Sequence, residues 1–260
     1  MNRSDPDGVL SDPFESNIDV SHKVTSKNEF SIRQADRDDV QMLESIEREA
    51  FQGTSTFVRI DRDLVRENAV YLAAVRDWLP EERELGRRYS ISTQSQKAYD
   101  SLLARIKRNF YRNFLDKVTK PKLPGDYIAG FIGLWFVLDE THVVMIGLRD
   151  KDRRKGIGEQ LIISALEHAV ARGARIVTLE VRQSNEPAIE LYLKYGFHKV
   201  GLRRRYYDDG ENAVIMTTPQ IQSDDFQRQF TRLLEQHSYR WGWVPRPEFG
   251  APKSDSNEVV

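Results

Sequence analysis

The chain contains no cysteine, which excludes disulfides, thiolate metal sites and a cysteine acyl-enzyme. It also lacks a dominant charge: the formal net charge of -1 excludes a global attraction to nucleic acid and leaves only local patches to consider. Long apolar runs are missing too. The longest, Tyr127 to Leu138, is interrupted by Gly130 and Gly133 and reaches about half of the ~20 residues a membrane-spanning helix needs, so it reads as a buried strand. Met1 to Asn28 is polar and has no apolar centre of a signal peptide, which with the missing span leads to the expectation of a cytoplasmic protein without membrane contact. The histidines His22, His142, His168, His198 and His237 are scattered without metal-ligand spacing, and no metal is expected.

What the sequence does have is a basic glycine turn. Arg153-Arg154-Lys155-Gly156-Ile157-Gly158 stands between the apolar run Val143 to Leu148 and a helix-patterned segment, Glu159 to Arg172. A strand feeding such a turn at a helix start presents unpaired backbone N–H groups, the positive end of the helix and three cations to one anion, a suitable cradle for a diphosphate. The spacing is neither the dinucleotide fingerprint G-x-G-x-x-G nor the phosphate loop G-x-x-x-x-G-K-[ST]. Further along, Arg175 to Val181 alternates as a strand, and Asn185 to Tyr195 reads as a helix ending at Gly196.

The turn R-x-x-G-x-G resembles the pyrophosphate loop of the GNAT family of acetyl-CoA-dependent N-acetyltransferases. The resemblance extends from about Phe30 to Thr217 and includes Leu179-Glu180-Val181-Arg182-Gln183-Ser184-Asn185-Glu186-Pro187-Ala188-Ile189-Glu190-Leu191-Tyr192, then Lys194-Tyr195-Gly196-Phe197. These segments are most similar to the RimI-type branch, the N-terminal alanine acetyltransferases of ribosomal protein. Arg203-Arg204-Arg205-Tyr206-Tyr207, Asp209 to Ala213 and the strand Val214 to Thr217 resemble that branch's closing hairpin.

The resemblance implies an α/β fold of the GNAT type: a strongly twisted mixed sheet whose strands Thr141–Leu148 and Arg175–Val181 splay apart, with acetyl-CoA as acetyl donor in the split. It implies that the backbone of Arg153, Arg154, Lys155, Gly156, Ile157 and Gly158 binds the diphosphate, one or more of the three cations adding charge. Gly147 and Leu148 stand where the family pairs its backbone with pantetheine and aims an N–H at the thioester carbonyl. Glu180 matches the general base, Tyr192 the acid that protonates the coenzyme A thiolate, and Asn185 a hydrogen bond to the cofactor arm. Tyr195 reads as a core aromatic beside Phe197. The sequence departs from the family at Asp150 and Asp152, where relatives often carry Pro and an aromatic residue, and at Gln52-Gly53-Thr54-Ser55-Thr56-Phe57, where a Pro-Trp pair is common.

Around this core the expected organisation is a disordered arm 1–28, a domain 29–218 and a C-terminal part 219–260 with a helix Gln220 to His237 and an irregular tail. At the front, Phe30-Ser31-Ile32-Arg33 reads as a strand, followed by a helix capped by Asp36 with a stripe of Val40, Leu43, Ile46, Glu47 and Ala50. Ala69 to Val75 is the next strand, and Tyr127 to Leu138 with Thr141 to Leu148 forms a hairpin across Asp139-Glu140. An insertion, 77–124, carries a helix over Thr93–Val118. Between Lys97 and Lys122 eight cations face only Asp100 and Asp116, a net +6 that fits either a solvated helix face or a contact with ribosomal RNA. The expected activity is acetylation of a protein N-terminal α-amine of the ribosomal alanine type. Acetylation of lysine or a small amine, or non-catalytic binding of acyl-CoA or RNA, are the alternatives.

Overall fold

The computed structural model describes residues 29–51, 58–84, 86 and 125–247. The expected arm, the segment Gln52 to Phe57, the helix Thr93–Val118 with its basic window and the end of the tail lie outside them.

The described chain forms β1 (Ser31–Gln34), α1 (Val40–Phe51), the short α2 (Ile60–Asp63), β2 (Ala69–Arg76), β3 (Tyr127–Val137), β4 (Glu140–Leu148), α3 (Ile157–Ala171), β5 (Ile176–Arg182), α4 (Glu186–Lys194), β6 (His198–Arg203), β7 (Ala213–Thr217) and α5 (Asp224–Trp241). One seven-stranded sheet runs in the order β1-β2-β3-β4-β5-β7-β6. All its neighbours are antiparallel except β4 and β5.

Local chemistry explains the elements. Asp36 accepts from the Asp38 N–H and Asp39 returns a bond to the Asp36 N–H, a reciprocal cap that starts the turn leading into α1. The buried stripe of α1 is Met42, Leu43 and Ile46; Val40, Glu47 and Ala50 of the expected stripe are only partly covered. β2 and the first eight residues of β3 are buried on both faces, as their near-continuous apolar sequence requires. β4 and β5 alternate buried and half-buried positions. Successive residues point to opposite faces: a Cβ on Gly147 would face Ile46 and Ala50 of α1, whereas Leu148 lies against Gly158 of α3. The helices α1 and α3 therefore cover opposite faces, and each fully buried Leu or Ile between them contributes about 1.5–3 kcal/mol.

Several boundaries differ from the expectation. The β3–β4 turn is Leu138-Asp139 rather than Asp139-Glu140, with Leu138 in the left-handed region (φ 55°) and fully exposed. The C-terminal helix lies four residues further along than Gln220 to His237: Ser223 caps its start at Asp224, and Gly242 ends it after Trp241 at φ 86°. The chain then returns to the core: Val244 is buried and the Pro245 carbonyl accepts from the Ile32 N–H at 2.8 Å.

Candidate active site

β4 and β5 pair only over Glu140–Val143 against Ile176–Leu179. β4 continues to Leu148 with its other edge still bonded to β3, and β5 continues to Arg182 bonded to β7. From Val144 on one side and Glu180 on the other, the two facing edges carry backbone groups without a ladder partner. The sheet is thus split at the place the family resemblance implied, with Gly147 and Leu148 on one wall and Glu180 on the other.

Below the β4 wall the chain turns into α3, and its course is fixed by buried polar contacts. Arg149 is buried, donating to the Ile128 carbonyl at 3.0 Å and to Glu49 of α1 at 3.2 Å; the other Glu49 oxygen accepts from the Asp150 N–H at 2.7 Å. Asp152, almost fully buried, accepts from the Tyr127 hydroxyl and from the Lys155 ammonium at 2.8 Å. Lys151 pairs with Glu82, which also takes both terminal nitrogens of Arg76 at 2.7 Å. Hydrogen bonds from Arg76 first, and from Lys151, hold the Glu82 carboxyl at about 2. Asp150 and Asp152, where the family often has Pro and an aromatic, thus give the loop polar anchors, one exposed to Arg153 at 2.9 Å and one buried.

The turn itself takes two left-handed residues, Arg154 (φ 60°) and Gly156 (φ 79°). Gly156 occupies the cap position of α3 and has no side chain to satisfy the first-turn N–H groups of Ile157, Gly158 and Glu159. The two glycines have different reasons. A Cβ on Gly156 would strike the Trp241 ring at 2.7 Å, whereas one on Gly158 would meet only Leu148, at an ordinary 3.5 Å. The space over Gly158 is therefore open to a ligand, and the exposed N–H groups beneath it suit a diphosphate. Of the cations, Lys155 is committed to Asp152 and Arg153 to Asp150, while Arg154 is exposed and makes no ion pair among the described residues.

The β5 wall is built from side chains. Glu180, about one fifth exposed, pairs with Arg203 at 3.1 Å. Arg203 lies over the Tyr206 ring, Tyr206 meets Tyr207 edge-on at 5.2 Å, and Arg182 covers Tyr207 at 4.0 Å. Arg182 also bridges Asp209 and Glu211, each at 2.7 Å. The Glu211 carboxyl, bonded first to Ser184 and then to Arg182, is held at about 2. Burial, helped by neighbouring acids, pushes the Tyr207 phenol up to about 12. Tyr192 is buried on α4 beside Phe197, with ring centres 5.7 Å apart. Burial first, and then Tyr207, raises its phenol well above the ordinary value, so it remains a protonated donor. Asn185 precedes α4 as its exposed cap, its Oδ1 accepting from the Ala188 N–H at 3.3 Å, which leaves its amide donors available. Tyr195 is a buried core aromatic, as expected; its ring packs edge-on against Phe230 and its hydroxyl donates to Glu159 at 2.7 Å.

Residues the sequence did not single out complete the geometry. Glu49 and Tyr127 hold the loop from distant elements, and His237 and Trp241 contact Gly156 from α5. No spacing rule links positions so far apart.

The acetyltransferase (GNAT) family model matches residues 72–197. A [ribosomal protein bS18]-alanine N-acetyltransferase of Salmonella typhimurium is 34% identical over 116 residues, which cover 43% of this chain and 78% of that protein. An N-alpha-acetyltransferase of Sulfurisphaera tokodaii is 46% identical over 84 residues, 32% of this chain and only 50% of the relative's own length. Among solved structures, the ribosomal-protein-S18-alanine N-acetyltransferase from Escherichia coli aligns at TM-score 0.47 and 22% identity, over 74% of this chain and 94% of that one. The family model starts within β2, ends just before β6 and so takes in both the split strands and the glycine turn; with the Salmonella relative matched over most of its length, it establishes that this chain belongs to the GNAT family of acetyltransferases.

Proposed function

We propose that the protein transfers the acetyl group of acetyl-CoA to the α-amine of a protein N-terminus, by direct attack while both substrates are bound. The observation that carries the reading is the split between β4 and β5 standing directly above the glycine turn. The residues present fit acetyl-CoA: the unpaired β4 edge from Val144 to Leu148 suits the amides of pantetheine, and the open first turn of α3 suits the diphosphate. Arg154 adds charge from the rim, and the free amide of Asn185 a donor from the opposite wall.

The amine nitrogen forms a bond to the acetyl carbonyl carbon and the carbon–sulfur bond breaks. A backbone N–H at Gly147 or Leu148 stabilises the intermediate oxyanion, an effect on the order of 3 kcal/mol. One ammonium proton passes to Glu180 through water before the attack; Tyr192 protonates the departing thiolate, and the second proton lost by the nitrogen as the intermediate collapses restores the Tyr192 hydroxyl through water. Arg203 has to release Glu180 for that transfer, so acceptor binding exchanges one ion pair for another.

The names of the Salmonella and Sulfurisphaera relatives favour an N-terminal amine over a lysine side chain. The net positive window Lys97–Lys122 supports docking of the enzyme on ribosomal RNA near such an acceptor. Free-thiol release from acetyl-CoA against a panel of peptides, with intact-mass analysis of the products, tests the reading. Acetylation of peptides with a free N-terminus and not of N-terminally blocked, lysine-containing ones is expected; the reverse preference identifies a lysine acetyltransferase, and no thiol release with any amine rejects catalysis.

A further inference from the structure

We propose that the C-terminal helix α5 is a working part of the donor site, with Trp241 and His237 as positioning residues that hold the glycine turn in its phosphate-binding shape. The inference rests on reading that turn as the acetyl-CoA cradle. It concerns a part of the chain that lies beyond the family match, which ends at residue 197.

The amides of Ile157 to Glu159 bind an anion only if the residue before them holds one direction, and that residue is a glycine without a side chain to anchor it. Arg154 and Gly156 both adopt positive φ, and glycine samples several such conformations with little steric penalty. The main chain supplies little to select one. Trp241 supplies it from outside: its ring lies so close to Gly156 that the space of a Cβ is already filled, at 2.7 Å from Cγ and Cδ2. The ring is not placed by hydrogen bonding, because its Nε1 is buried with no partner among the described residues. Packing on the glycine turn is what its position accomplishes.

His237, one turn earlier on α5, places Nε2 3.4 Å from the Gly156 carbonyl, which also accepts from the Gln160 N–H at 2.9 Å. In the tautomer that protonates Nε2, the imidazole donates to the carbonyl that opens α3. The next part of the same turn is fixed from α4: Glu159 accepts from the Lys194 ammonium and the Tyr195 hydroxyl. Side chains from α5 and from the end of α4 thus hold Gly156 and Glu159, the two ends of the cradle.

α5 is itself anchored at both ends. Phe226 and Phe230 are buried, stacked at 6.0 Å, with Phe230 against Tyr195. Beyond Trp241, Val244 is buried, Pro245 bonds to β1 and Arg246 pairs with Glu167 of α3 at 2.7 Å. Trp241 is therefore held against the turn by the core rather than by the turn alone, the arrangement that makes a support rigid.

Calorimetric titration of the full chain with acetyl-CoA, run beside thermal unfolding and amide hydrogen exchange, tests the proposal. Trp241→Ala and His237→Leu should each weaken acetyl-CoA binding by about tenfold or more, the range seen when outer supports of a binding group are removed. His237→Gln, which restores a donor, should recover most of that loss, and Trp243→Ala, at an exposed neighbour (54%), should change nothing. Exchange at Gln160, whose N–H bonds to the Gly156 carbonyl, should quicken in Trp241→Ala without ligand while the sheet amides hold their protection. If Trp241→Ala does not fold, His237→Leu against His237→Gln decides by the same comparison. Unchanged affinity in His237→Leu and any folded Trp241 variant, with the wild type binding, overturns the inference and leaves the cradle reading intact. A wild-type chain that does not bind acetyl-CoA removes both.

Discussion

The two walls of the split sheet present polar groups in opposite ways. On the β4 wall they belong to the backbone, the strand edge past Val143 and the first turn of α3, and the side chains nearby face away into Glu49, Tyr127, Asp152 and Glu82. On the β5 wall they belong to side chains that already satisfy one another, Glu180 with Arg203 and Arg182 with Asp209 and Glu211. The difference teaches how each substrate is met. A backbone wall is ready before its ligand arrives and depends on the layer behind it. A side-chain wall has to exchange partners, so its response is tied to what binds.

The comparison breaks first at the proton transfers. Glu180→Gln and Tyr192→Phe should bind acetyl-CoA like the wild type and lose about 10²–10⁴-fold in turnover; near-wild-type turnover across the pH range in either variant takes that residue out of the mechanism. Behind the β4 wall, Glu82 offers a stability test. Its folded carboxyl sits at about 2 against an ordinary 4.5, so its contribution is fully present above the unfolded value and fades as pH falls toward 2. The size is about 3 kcal/mol. Thermal midpoints measured from pH 6 to 2 should therefore fall less steeply for Glu82→Gln, which starts lower at pH 6; parallel profiles for the two proteins contradict the buried pairing with Arg76 and Lys151.

A third test separates ligand space from protein packing. Gly158→Val should weaken acetyl-CoA binding by about 1–3 kcal/mol, roughly five- to 150-fold, with little loss of stability because only Leu148 stands nearby. Gly156→Val should lose both, since its Cβ meets Trp241. Equal loss of stability in the two variants would erase the distinction. The smallest effect belongs to the rim. Arg154→Ala should weaken acetyl-CoA binding by about 0.3–1 kcal/mol at low salt, and the difference from wild type should vanish at high salt; a difference that persists there shows a direct contact instead.

The glycine turn and the strands on either side of it were legible along the chain because each depends on residues within one element or its neighbour. The β3–β4 turn was misplaced by one residue, since Leu138 adopts a left-handed conformation that its side chain disfavours and the hairpin register imposes. The apolar stripe of α1 was overextended at Val40 and Ala50 for a related reason: helical spacing gives their angle on α1 but not how far the sheet extends beneath them. The Tyr195–Phe230 contact escaped notice because it joins α4 to a helix more than thirty residues on.

By itself the sequence determined the order of strands and helices, the family to which they belong and the backbone freedom at Gly156 and Gly158, all local consequences of side-chain pattern and of missing Cβ atoms. Only the tertiary structure decided that the two glycines serve different neighbours, that Asp152 is a buried anchor rather than a surface charge, and that Trp241 ends on the cradle. Those outcomes depend on which distant surfaces meet when the core closes, and no spacing along a chain records the distance between segments that packing brings together.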